Sequence, residues 1–260
     1  MVVEPTVDAI AFRIASGTYR AGERLPSVRG LAAEFAINPS TAQVVLARLE
    51  SLGFVVCRPG FGALVRDLDR HGGIASWRYL FRFAQRIPQR AGRVLAELLE
   101  MRRVLVIDAI AKVAAAPRRH DPAPLRRAVE RMALRAGRAA ERGELARAEV
   151  EALRELLLAT GQSVVTAVLN SIAEVYLEAP AVVAAMCARP EENLLGWRAL
   201  LARWERGEPF VREAYAMRAV LAQHDAAVLA RFQREVARPA KESRAAAARP
   251  RRRRAGRARS

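Results

Sequence analysis

Cysteine, histidine and aromatic residues are all scarce in this chain of 260 residues. Its two cysteines, Cys57 and Cys187, have no CxxC spacing and lie in apolar runs, a pattern typical of a protein from a reducing cytosol. The three histidines are scattered along the chain rather than clustered with other metal-ligating residues. We therefore predict neither a bound metal nor a cofactor.

Long apolar runs and catalytic signatures are also missing. No run approaches the ~20 apolar residues of a membrane span, and the N-terminal MVVEPTVDAI lacks the basic region and cleavage site of a signal peptide. The sequence contains no Gly-x-Ser-x-Gly elbow, Rossmann fingerprint or P-loop. We expect a cytoplasmic, nucleoid-associated protein that is neither an enzyme nor a membrane protein.

Acidic residues are too few to balance the basic ones. The formal net charge is +17, which favours a polyanionic partner such as nucleic acid. Residues 241–260 alone carry nine Lys or Arg against one acidic residue. The segment 239–260 is rich in Arg and Pro, and we expect a disordered tail there. Its run Arg251–Arg254 can contact phosphates without regard to sequence, or it can simply be a solubilising terminus.

What the sequence does contain, within residues 1–66, is the pattern of a winged helix-turn-helix. Apolar spacing predicts helices over 6–16, 28–36 and 39–52, and two extended runs, 54–58 and 63–66, flank the turn Pro-Gly-Phe-Gly. Ser27 and Asn38 stand where helix N-caps are expected, and Pro39 follows as the first helical residue. The order of three helices and a hairpin predicts a DNA-binding domain.

The third helix is the expected recognition helix, since the second helix of such a pair enters the major groove with its N-terminus at the bases. Small polar side chains there suit phosphate and base contacts, and Gln43 can pair with an adenine edge. A cap in a protein–protein module is the alternative for Ser40 and Thr41. The predicted DNA-contacting residues are Arg29, Asn38, Ser40, Thr41, Gln43, Arg48, Arg58 and Gly60. Gly60 and Gly62 read as a wing tip rather than a phosphate loop, because an extended run follows them.

From about residue 73 onward, Ala, Leu, Arg and Glu dominate and strand patterns disappear. We assign 67–90 to a linker and a first helix and 91–238 to an all-α domain built on bundle rules. The helical segments are predicted at 74–86, 91–115, 121–142, 144–160, 163–178, 191–206 and 209–236. The predicted fold is thus mainly α: a winged helix-turn-helix, a helical bundle domain and a basic tail.

The segment LPSVRGLAAEFAINPSTAQVVLARLESLGFVVCRPGFGALV resembles the winged helix of the GntR family of transcription regulators. The resemblance rests on three motifs: Leu-Pro-Ser-x-Arg-x-Leu-Ala, a Thr in the expected recognition helix, and Leu-x-x-x-Gly before the wing. The resemblance implies operator contacts at Arg29, Ser40, Thr41, Gln43 and Gly60. The Asn-Pro-Ser-Thr run is more similar to the YtrA and MocR subgroups, so it leaves the operator sequence open.

The helical domain resembles the all-helical FadR-type sensor domain over 95–116, 152–172 and 197–221. Many such domains hold a divalent metal with one Asp and three His. The positions that correspond in this chain are Val150, Arg154, Trp197 and Ala219, none of which is a suitable ligand. The resemblance is therefore to the metal-free, acyl-sensing branch, which implies either an apolar or amphipathic effector or no effector at all.

Four residues of the helical domain are candidate effector ligands. Arg102 and Arg154 can hold an anionic head group, or they can lie on the surface paired with Glu100 and Glu151. Trp197 and Tyr215 can line a pocket, or they can belong to the core. We predict a homodimeric regulator, a repressor that binds a palindromic operator in double-stranded DNA and responds to a small effector. The alternative is a constitutive or architectural DNA-binding protein whose helical domain only dimerises.

Overall fold

A computed structural model describes residues 2–136 and 142–237. Its N-terminal part contains three helices and a two-stranded antiparallel hairpin, which confirms the predicted winged helix-turn-helix. The elements are α1 (Val3–Ala15), α2 (Val28–Glu34), α3 (Pro39–Ser51), β1 (Val55–Arg58) and β2 (Gly62–Val65). The hairpin register pairs Val55 with Val65 and Arg58 with Gly62.

Local capping explains where α2 and α3 begin. The Ser27 side chain accepts a hydrogen bond from the Gly30 amide at 3.2 Å, and the Asn38 carboxamide oxygen accepts one from the Thr41 amide at 2.7 Å. Pro39 occupies the first turn of α3, where no amide donor is needed. The α2–α3 turn is closed by Ala36, which has a positive φ of 51°. These caps determine the residues at which α2 and α3 begin.

The core of the N-terminal part lies between α1, α2, α3 and the hairpin. Val7, Ile10, Leu31, Leu49 and Phe54 are all fully buried there. α1 packs on α3, and α2 packs on α3 as well, so the opposite side of α3 stays open to solvent. The apolar spacing that predicted each helix is therefore the spacing of its buried face.

The remaining elements are helical, as predicted. They are α4 (Leu68–His71), α5 (Ile74–Leu80), α6 (Pro88–Ala115), α7 (Ala123–Ala136), α8 (Arg142–Ala159), α9 (Ser163–Glu178), α10 (Pro180–Met186), α11 (Pro190–Glu205) and α12 (Val211–Ala237). Short 3₁₀ turns lie at Phe81–Phe83 and Pro117–Arg119. The predicted disordered tail, 239–260, lies outside the described residues.

Helices α6 and α12 form the centre of the helical domain. One apolar cluster surrounds Leu95, Leu99, Tyr176 and Phe232, and a second surrounds Leu156, Trp204 and Phe210. The buried Trp204 indole donates to the carbonyl oxygens of Pro117 and His120 at 3.1 and 3.2 Å, so its polar edge is satisfied. α6 takes part in both clusters and so connects the two halves of the domain.

Helix α5 and the turn after it contribute to two cores at once. Tyr79, Leu80 and Phe83 pack with the N-terminal core, whereas Phe81 packs with α12 against Phe232. The Tyr79 hydroxyl hydrogen-bonds the Asp8 carboxylate of α1. This segment therefore ties the winged helix to the helical domain.

Among the described residues, no single helix has the length and apolar character of a membrane span, although α9 and α10 together meet that test as a pair bent by 101°.

Candidate nucleic-acid interface and helical-domain pocket

The N-terminus of α3 presents a polar face to solvent. Asn38 and Ser40 are exposed, and the Ser40 hydroxyl donates to the Asn38 carboxamide oxygen at 2.8 Å. Thr41 is half-buried and Gln43 is exposed. The cap thus engages the carboxamide oxygen of Asn38 and the hydroxyl proton of Ser40, and the Gln43 side chain remains exposed to solvent. That arrangement can supply hydrogen bonds to phosphates and base edges.

The predicted basic contacts differ in how free their guanidinium groups are. Arg29 and Arg58 are exposed and form no ion pair with any residue from 2–136 or 142–237. Arg48 lies 3.6 Å from the Glu4 carboxylate, in an exposed pair that water can easily replace. Arg29 and Arg58 are therefore immediately available to phosphates, whereas Arg48 must first leave Glu4.

The wing is attached to both of its neighbours. The Glu50 carboxylate of α3 accepts a hydrogen bond from the Cys57 amide at 2.7 Å. On the other edge, the Leu25 amide donates to the Ala63 carbonyl oxygen at 2.9 Å. The Val65 amide donates to the Glu23 carbonyl oxygen at 2.8 Å. The hairpin therefore has a fixed position relative to the recognition helix.

Arg24, which the sequence analysis missed, closes the wing tip. Its guanidinium donates to the Gly60 carbonyl oxygen at 3.3 Å. A Cβ at Gly62 would lie 3.4 Å from the Arg24 Nε, an ordinary contact distance, so the arginine passes directly over this glycine. Both Gly60 and Gly62 have a positive φ, of 76° and 80°, which a side chain would strain. An antiparallel bridge from Arg24 to Leu64 is a tertiary contact with no local signal in the sequence.

In the helical domain, a pocket of about 350 Å³ opens between α6, α8, α11 and α12. Its wall is mostly apolar and includes Val106, Ile110, Leu153, Leu200, Met217 and Leu221. Of the four predicted effector ligands, Arg102 and Trp197 line this pocket. Arg154 lies instead beside Asn170 and Glu151, and Tyr215 is an exposed residue of α12. Sequence periodicity could not separate these positions, because all four lie on amphipathic helices.

Two arginines that line the polar end of the pocket, Arg102 and Arg103, both pair with the carboxylate of Asp225. Its two oxygens accept from Arg102 at 2.7 Å and from Arg103 at 2.5 Å, and Arg102 and Asp225 are both buried. Burial alone would lower the pKa of Arg102, but Tyr176, Asp225 and Glu149 together raise it, so the guanidinium stays charged. Arg102 thus already has a carboxylate partner within the protein.

Glu149 and His224 also line the pocket. Burial raises the pKa of Glu149, although Arg102 and a hydrogen bond from the Asn193 amide at 3.1 Å act in the opposite direction. Burial lowers the pKa of His224, which favours a neutral imidazole. The carboxamide oxygen of Asn193 is buried with no hydrogen-bond partner in the described part of the chain. The polar end therefore has one unused acceptor beside an apolar cavity.

The described residues, 2–136 and 142–237, contain no group of three or more His, Cys, Asp or Glu side chains that could hold a metal ion. Val150 is buried in α8, and Trp197 lines the pocket.

Comparison with known proteins gives matches of two kinds. Residues 3–65 match the family model of bacterial regulatory proteins, gntR family. A 60-residue stretch is 35% identical to the uncharacterized HTH-type transcriptional regulator YhcF of Bacillus subtilis (strain 168), covering 23% of this chain. The chain spans about half the length (50%) of that curated relative.

Two solved structures extend over most of the chain at low identity. The Listeria monocytogenes protein Lar, described as controlling expression of the agr system, is 15% identical with a TM-score of 0.49; the match covers 91% of this chain and 96% of Lar. Streptococcus agalactiae GntR is 19% identical with a TM-score of 0.38, over 88% of this chain and 99% of that protein.

Proposed function

We propose that the protein is a sequence-specific, DNA-binding transcription regulator, and the match of residues 3–65 to the model of the gntR family of bacterial regulatory proteins supports this function. The observation that carries the proposal is the exposed N-terminus of α3, where Ser40 and Gln43 lie on the open side of a firmly capped helix. The exposed guanidinium groups of Arg29 in α2 and Arg58 in β1 can hold phosphates. A bound regulator would act in the cytoplasm, on the chromosome.

We test DNA recognition by in vitro selection from a random duplex library with the full chain. Selected duplexes and scrambled duplexes of equal length are then compared by salt titration. A specific regulator binds the selected duplex on the order of a thousandfold more tightly. Equal affinity for both duplexes would overturn specific recognition and leave the architectural alternative, in which charge alone holds the protein on DNA.

The protein is further proposed to be a homodimeric repressor. A dimer places two recognition helices at half-sites one helical turn apart, so the selected sites should be palindromic. Exposed apolar residues of α9, Val164 and Val168, support a self-associating helical face. Light scattering that gives the mass of one chain, together with a selected half-site rather than a palindrome, would contradict the dimer.

The helical-domain pocket is proposed to bind a small effector whose body is apolar. The mostly apolar wall of the pocket supports this proposal. Because Arg102 already pairs with Asp225, an anionic head group would have to displace that carboxylate to bind the guanidinium, which disfavours a charged effector. Neutral decanol and anionic decanoate are matched probes, because they share a chain length and differ in head-group charge. A larger rise in melting temperature with decanoate would instead assign an anionic head group to Arg102 and Arg103.

Gly196 offers a substitution that blocks this pocket. It lines the wall, and a Cβ there would meet no atom within 4 Å, so an added side chain has open space. We expect Gly196→Leu to fold and to lose at least tenfold in probe affinity. Gly196→Ala is the matched control: it should retain binding and gain about 0.5–1 kcal/mol of stability from a better helix former. Unchanged probe binding by Gly196→Leu would mean that the probe binds elsewhere.

A further inference from the structure

Phe61 differs from every other phenylalanine in the chain. The sequence has eight, and all of them lie in the described residues. Phe54, Phe81, Phe83, Phe210 and Phe232 are buried, and Phe12 and Phe35 are half-buried. Phe61 is 67% exposed at the tip of the wing. A large apolar ring at this position contributes nothing to the core of the folded protein.

The turn around Phe61 gives its ring an unobstructed position. Gly60 and Gly62 flank it without side chains, and a Cβ at Gly60 would meet nothing within 4 Å. The Phe61 amide donates to the Arg58 carbonyl oxygen at 3.0 Å, which closes the turn. The ring therefore stands at the tip of a narrow hairpin, with no bulky neighbour in the turn to widen it.

The wing holds this ring at a fixed distance from the recognition helix. Glu50 anchors one strand to α3, and Arg24 anchors the turn to the loop before α2. Arg24 and Arg58 are exposed and without ion-pair partners among the described residues, and both contact the turn that holds Phe61, so the wing tip carries two positive charges. An aromatic wedge between positive charges is the chemistry of a side chain that enters a DNA groove.

We propose that Phe61 inserts between base pairs of the minor groove next to the major groove read by α3. Arg24 and Arg58 contact the phosphates on either side, and the ring partly unstacks one base step. Insertion of this kind favours pyrimidine–purine steps, which unstack most readily, so the wing adds sequence preference without hydrogen bonds to bases. This inference rests on the proposed DNA-binding function.

The test uses the selected duplex with 2-aminopurine placed at successive positions along the flank that the wing reaches. Wild-type protein should raise the fluorescence at one step severalfold, because an unstacked 2-aminopurine is no longer quenched. Phe61→Ala should abolish that signal and weaken binding about tenfold, while Phe61→Leu should retain part of both. Leu134→Ala is the matched control, since Leu134 is a 75% exposed apolar residue of α7, remote from the wing.

The outcomes separate the two proposals. If selection yields no preferred duplex for the wild-type chain, DNA recognition itself fails. If the wild type binds a selected duplex but no 2-aminopurine position responds, insertion is overturned and recognition stands. The same holds if Phe61→Ala loses affinity without any change in stacking, which would place the ring against the groove wall rather than between bases.

Discussion

Replacing Asp225 by alanine is expected to lower the free energy of unfolding by about 3–5 kcal/mol. Its carboxylate is the shared partner of Arg102 and Arg103, at 2.7 and 2.5 Å, and it is 5% exposed. Without it, a buried guanidinium keeps its charge but loses its counter-ion, and desolvation is no longer offset. Urea denaturation followed by far-UV circular dichroism measures the change.

Two further variants show whether the charge is responsible. Asp108→Ala removes an exposed carboxylate from an ion pair on the same helix as Arg102, with Lys112 at 2.7 Å, and should cost at most about 1 kcal/mol. Combining Asp225→Leu with Arg102→Met and Arg103→Met replaces all three charges by apolar groups and should recover much of the lost stability. If Asp225→Ala lowered the free energy of unfolding no more than Asp108→Ala does, the buried ion pairs of Asp225 would stabilise the fold no more than an exposed pair.

Replacing Gln43 by alanine is expected to weaken binding to the selected duplex by about ten- to a hundredfold, or ~1–3 kcal/mol. Gln43 is an exposed residue of α3, one turn beyond the cap, and its amide can both donate to and accept from a base edge. Because the amide is uncharged, affinity for scrambled DNA and the salt slope should both stay unchanged. Fluorescence anisotropy at several salt concentrations measures all three quantities.

Arg29→Ala provides the contrast for Gln43→Ala. An exposed arginine without an intramolecular ion-pair partner among the described residues should contact phosphate, so its loss should weaken both duplexes alike. The salt slope should then fall by about 0.9. An equal loss on both duplexes from Gln43→Ala would show that this amide positions the helix rather than reads a base.

The helical elements could be predicted because their signals are local. Asn38 followed by Pro39 fixes the start of α3 through one side-chain hydrogen bond and one ring, and both are visible in sequence. Helix α10, Pro180–Met186, was missed because its residues are almost uniformly apolar and have no helical period. Helix α6 starts at Pro88 rather than at 91, since proline is accepted in the first turn.

The site was harder to predict from the sequence than the fold, because its main contacts join residues that are far apart along the chain. Nothing in the neighbourhood of Arg102 indicates that its partner is Asp225, which lies 123 residues away. Arg24 is likewise 36 residues from the glycine that it holds. By contrast, the polar N-terminus of α3 was identifiable because all its members lie within the short segment from Asn38 to Gln43.

Helix α5 and the 3₁₀ turn after it pack in both hydrophobic cores, and this limits where the winged helix can be fused to another protein. Tyr79 of α5 packs in the N-terminal core and Phe81 of the following 3₁₀ turn packs in the core of the helical domain, while Arg82 lies 2.9 Å from the Asp8 carboxylate of α1. A chimaera joined after residue 66 would remove Tyr79, Leu80 and Phe83 from the core of the winged helix. The apolar residues of α1, α3 and the hairpin that pack against them would then be exposed to solvent. A fusion point at the start of α6 would keep Tyr79, Leu80 and Phe83 with the N-terminal core, although Phe81 would lose its contact with Phe232 of α12, so the transplantable unit extends past the hairpin.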